Sequence, residues 1–263
     1  MAISQAARKN HDQLVPDHVS TLAITDPELI EIFDNFAFDE VLAHSRLDTR
    51  ARLMVQLASL IACGALAEYR AMLGAALTIG VTPVEAKEIV YQAVAYVGMA
   101  RVFDFIHATN QVLTDRGVEL PLEGQATTVP EDRAEKGRAV QEHIVGIERV
   151  QTMYDGATED ALHFQQFLSA NCFGDYLARA GIDISTRELL TFAMLISLGG
   201  ADPQAKGHVA ANLNVGNTRQ QLLDVITVLV PFIGYPRSLN ALAAVNEAAE
   251  SEHPANDAPA VEH

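Results

Sequence analysis

Positive charge is scarce in this 263-residue chain. Lysine and arginine total 18 against 34 aspartates and glutamates, a formal net charge of −16. A general nucleic-acid binder needs a basic face to meet phosphates, so no nucleic-acid partner is expected, and the acidity reads as solubility. Cysteine is nearly absent. Cys63 and Cys172 stand alone, with no CxxC pair and no zinc-ligand spacing, which argues against a disulfide framework and a structural metal. The amino terminus, MAISQAARKNHDQ, has no apolar signal core, and no apolar run reaches membrane-spanning length. A cytoplasmic protein with no membrane partner is the expectation. There is no phosphate-binding glycine loop and no nucleotide motif. No segment reads as a strand of any length. VITVLVPFI is β-rich in composition, but a helix cap at Thr218 favours helix there.

What is present is a repeat. Apolar residues make up 49 % of the chain, enough for a core without staples. Sliding the sequence by 136 positions, the step from Gly80 to Gly216, also carries Thr82 onto Thr218, Gly98 onto Gly234 and Arg101 onto Arg237. Thr82-Pro-Val-Glu85 and Thr218-Arg-Gln-Gln221 both read as capping boxes, a hydroxyl and a carboxyl or amide that satisfy exposed N–H groups reciprocally. The helix after Asp26 matches the stretch Glu159 to Ala180 at an offset of 135, so one residue is gained or lost near Asp48 and Asp183. The chain therefore reads as a tandem duplication of an all-helical unit. Its expected layout is an arm over 1–25, a first repeat over 26–117, a proline-bearing linker over 118–133, a second repeat over 134–250 and a polar, disordered tail over 251–263. Helices such as Leu66 to Ile79 are apolar nearly all round and need burial on several sides. Packing of the repeats on each other, and of several chains in closed symmetry, would supply it.

Several residues carry this layout: RELLTFAMLISLGG from Arg187 to Gly200, His208, NLNVGNT from Asn212 to Thr218, and GYPR from Gly234 to Arg237. RARLMVQLASLIACG, LTIGVTPVEAKEIVYQAVAYVG and Arg101 form a weaker first version. On these the chain resembles the carboxymuconolactone decarboxylase family, which includes the alkylhydroperoxidase D-like proteins. The resemblance implies an all-α fold of two such repeats. Single-repeat members assemble as trimers or hexamers, so a tandem chain suggests a homotrimer imitating a hexamer.

The family's active-site histidine falls at His208, whose imidazole can give or take a proton near neutral pH. A core histidine bonded to a carbonyl is the structural alternative. Met72 stands at the matching place in the first repeat. Glu188 matches the acid of the family motif and could orient His208, or it could simply complete a capping box with Ser185. Arg52 replaces it at the offset of 136. Glu188 lies about eleven residues, roughly 16 Å, before the turn, twice as far as His208 lies beyond it. In a plain hairpin the two would not touch. Arg237 could hold a substrate carboxylate in a bidentate grip, or, like its copy Arg101, serve structure. Tyr235 and Asn212 are possible polar lining, and Lys206 is a solvated surface residue. The hydroperoxidase branch needs a CxxC pair before the histidine. Gly200 and Pro203 occupy that region here, so the expected reaction is of the decarboxylase branch: cofactor-free, on a small carboxylated lactone or related enolisable acid. A non-catalytic binding or assembly protein is the alternative, and a thiol peroxidase using Cys63 and Cys172 the weaker one.

Overall fold

The computed structural model describes residues 2–16 and 20–252, except for the side chains of 249–252. Nearly all of the expected polar tail from Ser251 lies outside the described residues. Among those described, every regular element is a helix. The arm carries α1 (Gln5–Leu14) and α2 (Leu22–Thr25), and the first repeat comprises α3 (Pro27–Asn35), α4 (Val41–Ala43), α5 (Thr49–Cys63), α6 (Leu66–Ile79), α7 (Pro83–Val97) and α8 (Met99–Asp115). The second comprises α9 (Arg133–Val145), α10 (Ile147–Asp155), α11 (Leu162–Phe167), α12 (Ile184–Leu198), α13 (Asp202–Asn214) and α14 (Arg219–Glu252). Gly146, at positive φ, separates α9 from α10.

Helices α5 and α12 form the centre. They lie against each other, linked by the Ser59 and Ser197 hydroxyls 2.7 Å apart. Every residue from Arg52 to Ala62 and from Arg187 to Ser197 is buried. Two further helices cross over between halves: α7 packs on both α5 and α12, and α14 on both α12 and α5. Both expected capping boxes at Thr82 and Thr218 form, with reciprocal bonds to Glu85 and Gln221. By length and composition Arg219–Ala248 could cross a membrane, yet Gly234 breaks it at φ 76° and Leu222, Val225, Val228 and Leu229 are buried in the core.

The duplication reaches unusual local features. A π-helical turn follows α3 at Phe36–Glu40, and a longer one follows α11 at Leu168–Leu177. The second crosses α9 so closely that a methyl group on Gly137 would sit 2.0 Å from the Ser169 carbonyl oxygen. Only glycine permits that approach.

Two expectations need correction. The cap of α12 is Asp183, whose side chain accepts from the Thr186 N–H at 2.9 Å, as Asp48 accepts from Ala51 at 2.7 Å to cap α5. Ser185 bonds to Asp183, and Glu188 is left out of any capping box and faces inward. The matching caps also set the register of α5 on α12 at 135, not 136. Arg52 therefore corresponds to Arg187, and Leu53 to Glu188. Glu88 on α7 pairs with Arg187 at 2.8 Å. Its counterpart Asp224, one methylene shorter, instead accepts from Gln220 at 2.9 Å, and no ion pair with Arg52 forms.

Candidate functional site

Helices α12 and α13 carry Glu188 and His208 into direct contact: His208 Nδ1 and Glu188 Oε2 are 2.8 Å apart. Glu188 is 0 % exposed, while the His208 side chain keeps 18 % of its surface. Lengths along a flat hairpin predict that the two miss. They meet all the same, with α13 packed on α12. With Nδ1–H donating to the carboxylate, ring orientation and tautomer are set, and Nε2 is left to exchange a proton. The second carboxylate oxygen, Glu188 Oε1, is buried with no hydrogen-bond partner.

Asn212 stands next to the dyad and does not line it with free groups. Its amide Nδ2 donates to the Glu188 carbonyl at 3.1 Å and the His208 carbonyl at 2.7 Å, and its Oδ1 accepts from Asn217 at 2.9 Å. Asn217 in turn bonds to the Ser185 carbonyl. Asn212 is thus a buried strut tying α13 to α12 across the site.

The structure also brings residues to the dyad that sequence reasoning missed. Tyr96, from the first repeat, meets the His208 ring edge-on, with centroids 5.8 Å apart. Its hydroxyl is buried close to Cys172, Glu188 and Thr191, with no partner at hydrogen-bonding geometry among the described residues. Burial drives the phenol well above its usual range, and Cys172 and Glu188 push the same way. Burial likewise pushes the Cys172 thiol up to about 12, so it is a thiol and not a thiolate at neutral pH. One signal was available: at the offset of 136, Tyr96 falls on Phe232. The equivalent positions are Leu53 and Met72 of the first repeat and Phe232 of the second, all apolar members of the main core or packed against it. The duplicated site has become hydrophobic core, and the polar one is built from both repeats.

Arg237 and Tyr235 are not brought to the dyad. Arg237 packs on Gly199, where a methyl group would lie 3.3 Å from its guanidinium nitrogens, and its Nη1 is 3.8 Å from Cys63 Sγ. It lines a separate cleft of about 170 Å³ with Gly200, Asp202 and Asn240. Arg101 does the matching job in the first repeat, donating to the Ala62 carbonyl at 3.1 Å. Each arginine braces the carboxyl-terminal end of a central helix, where a cation is favoured. Tyr235 is exposed at the surface. Lys206 pairs with Glu247, both well exposed. Cys63 touches Ser197 and Arg237 whereas Cys172 lies beside Tyr96, and both are free thiols.

The sequence model of the carboxymuconolactone decarboxylase family matches twice, over residues 27–111 and 163–247. The chain belongs to that family. The second match contains the Glu188–His208 dyad and the first contains Tyr96. Among curated proteins, the 4-carboxymuconolactone decarboxylase of Acinetobacter baylyi is 29 % identical over 117 residues, which are 44 % of this chain and 87 % of the relative. Among solved structures, a protein from Burkholderia xenovorans LB400, described as a candidate gamma-carboxymuconolactone decarboxylase subunit, aligns over 95 % of this chain and 98 % of its own at a TM-score of 0.46 and 18 % identity. This member of the family keeps its acid and histidine in one repeat and has no CxxC pair in either.

Proposed function

We propose that this protein is a cofactor-free decarboxylase acting on a small carboxylated lactone or related enolisable acid, with His208 as general acid. The observation that carries the reading is the His208–Glu188 pair, a mostly buried imidazole with a small exposed edge, fixed by a wholly buried carboxylate. In the reaction the bond from carbon to the substrate carboxylate breaks and carbon dioxide leaves. The electron pair passes into a dienolate conjugated with the lactone carbonyl. The imidazolium of His208 gives its Nε2 proton to the carbanionic carbon and returns to neutral, to be recharged from solvent. Glu188 balances the charge of the imidazolium and holds its tautomer, as a buried carboxylate does behind other catalytic histidines. Arg149 is our candidate to hold a carboxylate, in place of Arg237. Its Nη2 would lie 3.1 Å from a side chain at Gly207, next to His208, and it makes no ion pair among the described residues.

Support for assembly comes from equivalent surfaces. Leu29 and Ile32 on α3 match Phe164 and Phe167 on α11 at the offset of 135. Met99 and Phe103 on α8 match Tyr235 and Leu239 on α14 at 136. All eight are more than half exposed. Repeats that present the same two apolar faces suit a closed ring, and we propose a homotrimer in which each chain supplies two of six similar units. His208 lines neither the 170 Å³ cleft nor a second one of about 330 Å³. A site roofed by a neighbouring chain would show this, and so would the alternative, a binding protein without catalysis. Decarboxylation of a carboxylated lactone, followed as carbon dioxide release, separates the two. His208→Ala should lower kcat by about 10²- to 10⁴-fold with the oligomer intact. Equal turnover in the variant would remove the mechanism.

A further inference from the structure

The 330 Å³ cleft lies between α7, the linker and the end of the π-helical segment, and none of its lining residues belongs to the dyad. It is built and not incidental. The linker is tied down by the Ala180 N–H to the Gln125 carbonyl at 2.9 Å and by Thr127 and Thr128 to the Ala178 and Gly174 carbonyls. Gly181, at φ 88°, lets the chain close in, since a methyl group there would meet Val84 at 2.9 Å. One wall is apolar, formed by Val84, Leu120, Pro121 and Leu122. The other is cationic. Tyr91 is flanked by the Lys87 ammonium at 5.3 Å and the Arg179 guanidinium at 5.1 Å.

These cations are not neutralised by what surrounds them. Among the described residues, Lys87 bonds only to the neutral Asn110 side chain, at 2.6 Å, which leaves ammonium donors unused. Glu88, the one acid on that wall, is shared between Arg179 and the buried Arg187. Arg179 directs Nε and Nη2 at Glu88 and keeps Nη1 uncommitted. The remaining acid of the lining, Glu123, is exposed on the rim. Burial lowers the Lys87 pKa, a penalty that an anion beside it would relieve. In a chain of net charge −16, an inner wall with surplus positive charge facing an apolar wall is specific chemistry.

We infer that this cleft is a second small-molecule site, for an organic monocarboxylate whose carboxylate meets Lys87 and Arg179 and whose apolar body lies on Val84, Leu120 and Leu122. The Glu88–Arg187 pair runs from it to the residue preceding Glu188, so an occupant is linked to the dyad's helix by a continuous buried contact.

Benzoate is a suitable probe, titrated calorimetrically into the full chain, with benzyl alcohol as its neutral counterpart and sulfate as a bare anion. Benzoate should bind with a Kd of about 1 mM or tighter, and benzyl alcohol and sulfate at least about tenfold more weakly. Lys87→Met, which keeps the aliphatic stem, should weaken benzoate about tenfold or more, and His208→Ala should leave it unchanged. Nuclear Overhauser contacts from the benzoate ring to the Val84 and Leu122 methyls of the unaltered protein give a readout independent of whether the Lys87 variant folds. No benzoate binding, equal binding in Lys87→Met, loss of binding in His208→Ala, or ring contacts elsewhere would each overturn the inference. These outcomes are separable from the fate of the decarboxylase reading, which turns on turnover alone.

Discussion

Tyr96 of the first repeat lies edge-on to the imidazole of His208 of the second, 5.8 Å between centroids. The fused chain thus builds one polar site with a wall from the half that has lost its own. The ring and the hydroxyl make different contributions. A buried hydroxyl without a partner costs about 1–3 kcal/mol, so Tyr96→Phe should leave the melting temperature equal or higher and turnover within about threefold. Tyr96→Ala removes the packing as well and should destabilise by about 3–5 kcal/mol. Thermal melts and kcat on both variants check this, and a large loss of kcat in the phenylalanine variant would contradict it.

Glu188→Gln tests the buried partner. The amide keeps the shape and an oxygen that can accept from Nδ1–H, but it cannot balance the charge of an imidazolium. Loss of such a supporting group costs about 10- to 100-fold. The expected result is that loss in kcat, with KM less affected and the chain still folded by circular dichroism.

The matched apolar faces predict a shared role in assembly. Leu239→Glu or Phe167→Glu, both on exposed side chains, should leave helix content unchanged and shift the mass measured by light scattering toward a single chain, because a charge buried in an apolar contact is costly. A mass that stays the same in both variants would speak against these faces as the interface.

Acid stability should depend on Asp183. Burial works to raise its pKa, but the side chains of Ser185 and Thr186 and the Thr186 N–H outweigh it, and the net shift is downward from 3.8. A carboxyl whose pKa is lower in the folded state stabilises fully above its unfolded value, and that contribution fades as pH falls through the folded value. Asp183→Ala should therefore cost stability at neutral pH, on the order of 1 kcal/mol for a lost cap, and flatten the decline below about pH 4. Chemical denaturation at pH 7 and pH 3 would show the difference.

Much of this architecture could be read from the chain alone. Glycines at 80, 98, 216 and 234 and threonine caps at 82 and 218 recur at one spacing, because a helix end must satisfy its backbone whatever surrounds it. His208 and Glu188 could be named from their motif. Their contact could not, since it depends on how α13 crosses α12. The same limit produced the misplaced register at Arg52: the caps at Asp48 and Asp183 match at 135, so the one-residue shift falls beyond α5 and α12, in the turns that lead to α6 and α13. Arg237 and Tyr235 looked like site residues because they follow Gly234 in a family motif, whereas the kink at that glycine turns one toward Gly199 and the other to solvent.

The sequence by itself determined an all-helical duplication, the capped helix starts at Thr82 and Thr218 and the apolar residue that matches His208 across the repeat, Met72, for these are local matters of capping, periodicity and residue type. Tertiary structure alone decided that the surviving histidine is held by a fully buried glutamate and walled by a tyrosine some hundred positions earlier. Side chains far apart in the chain become neighbours only when helices from both repeats pack across a common core.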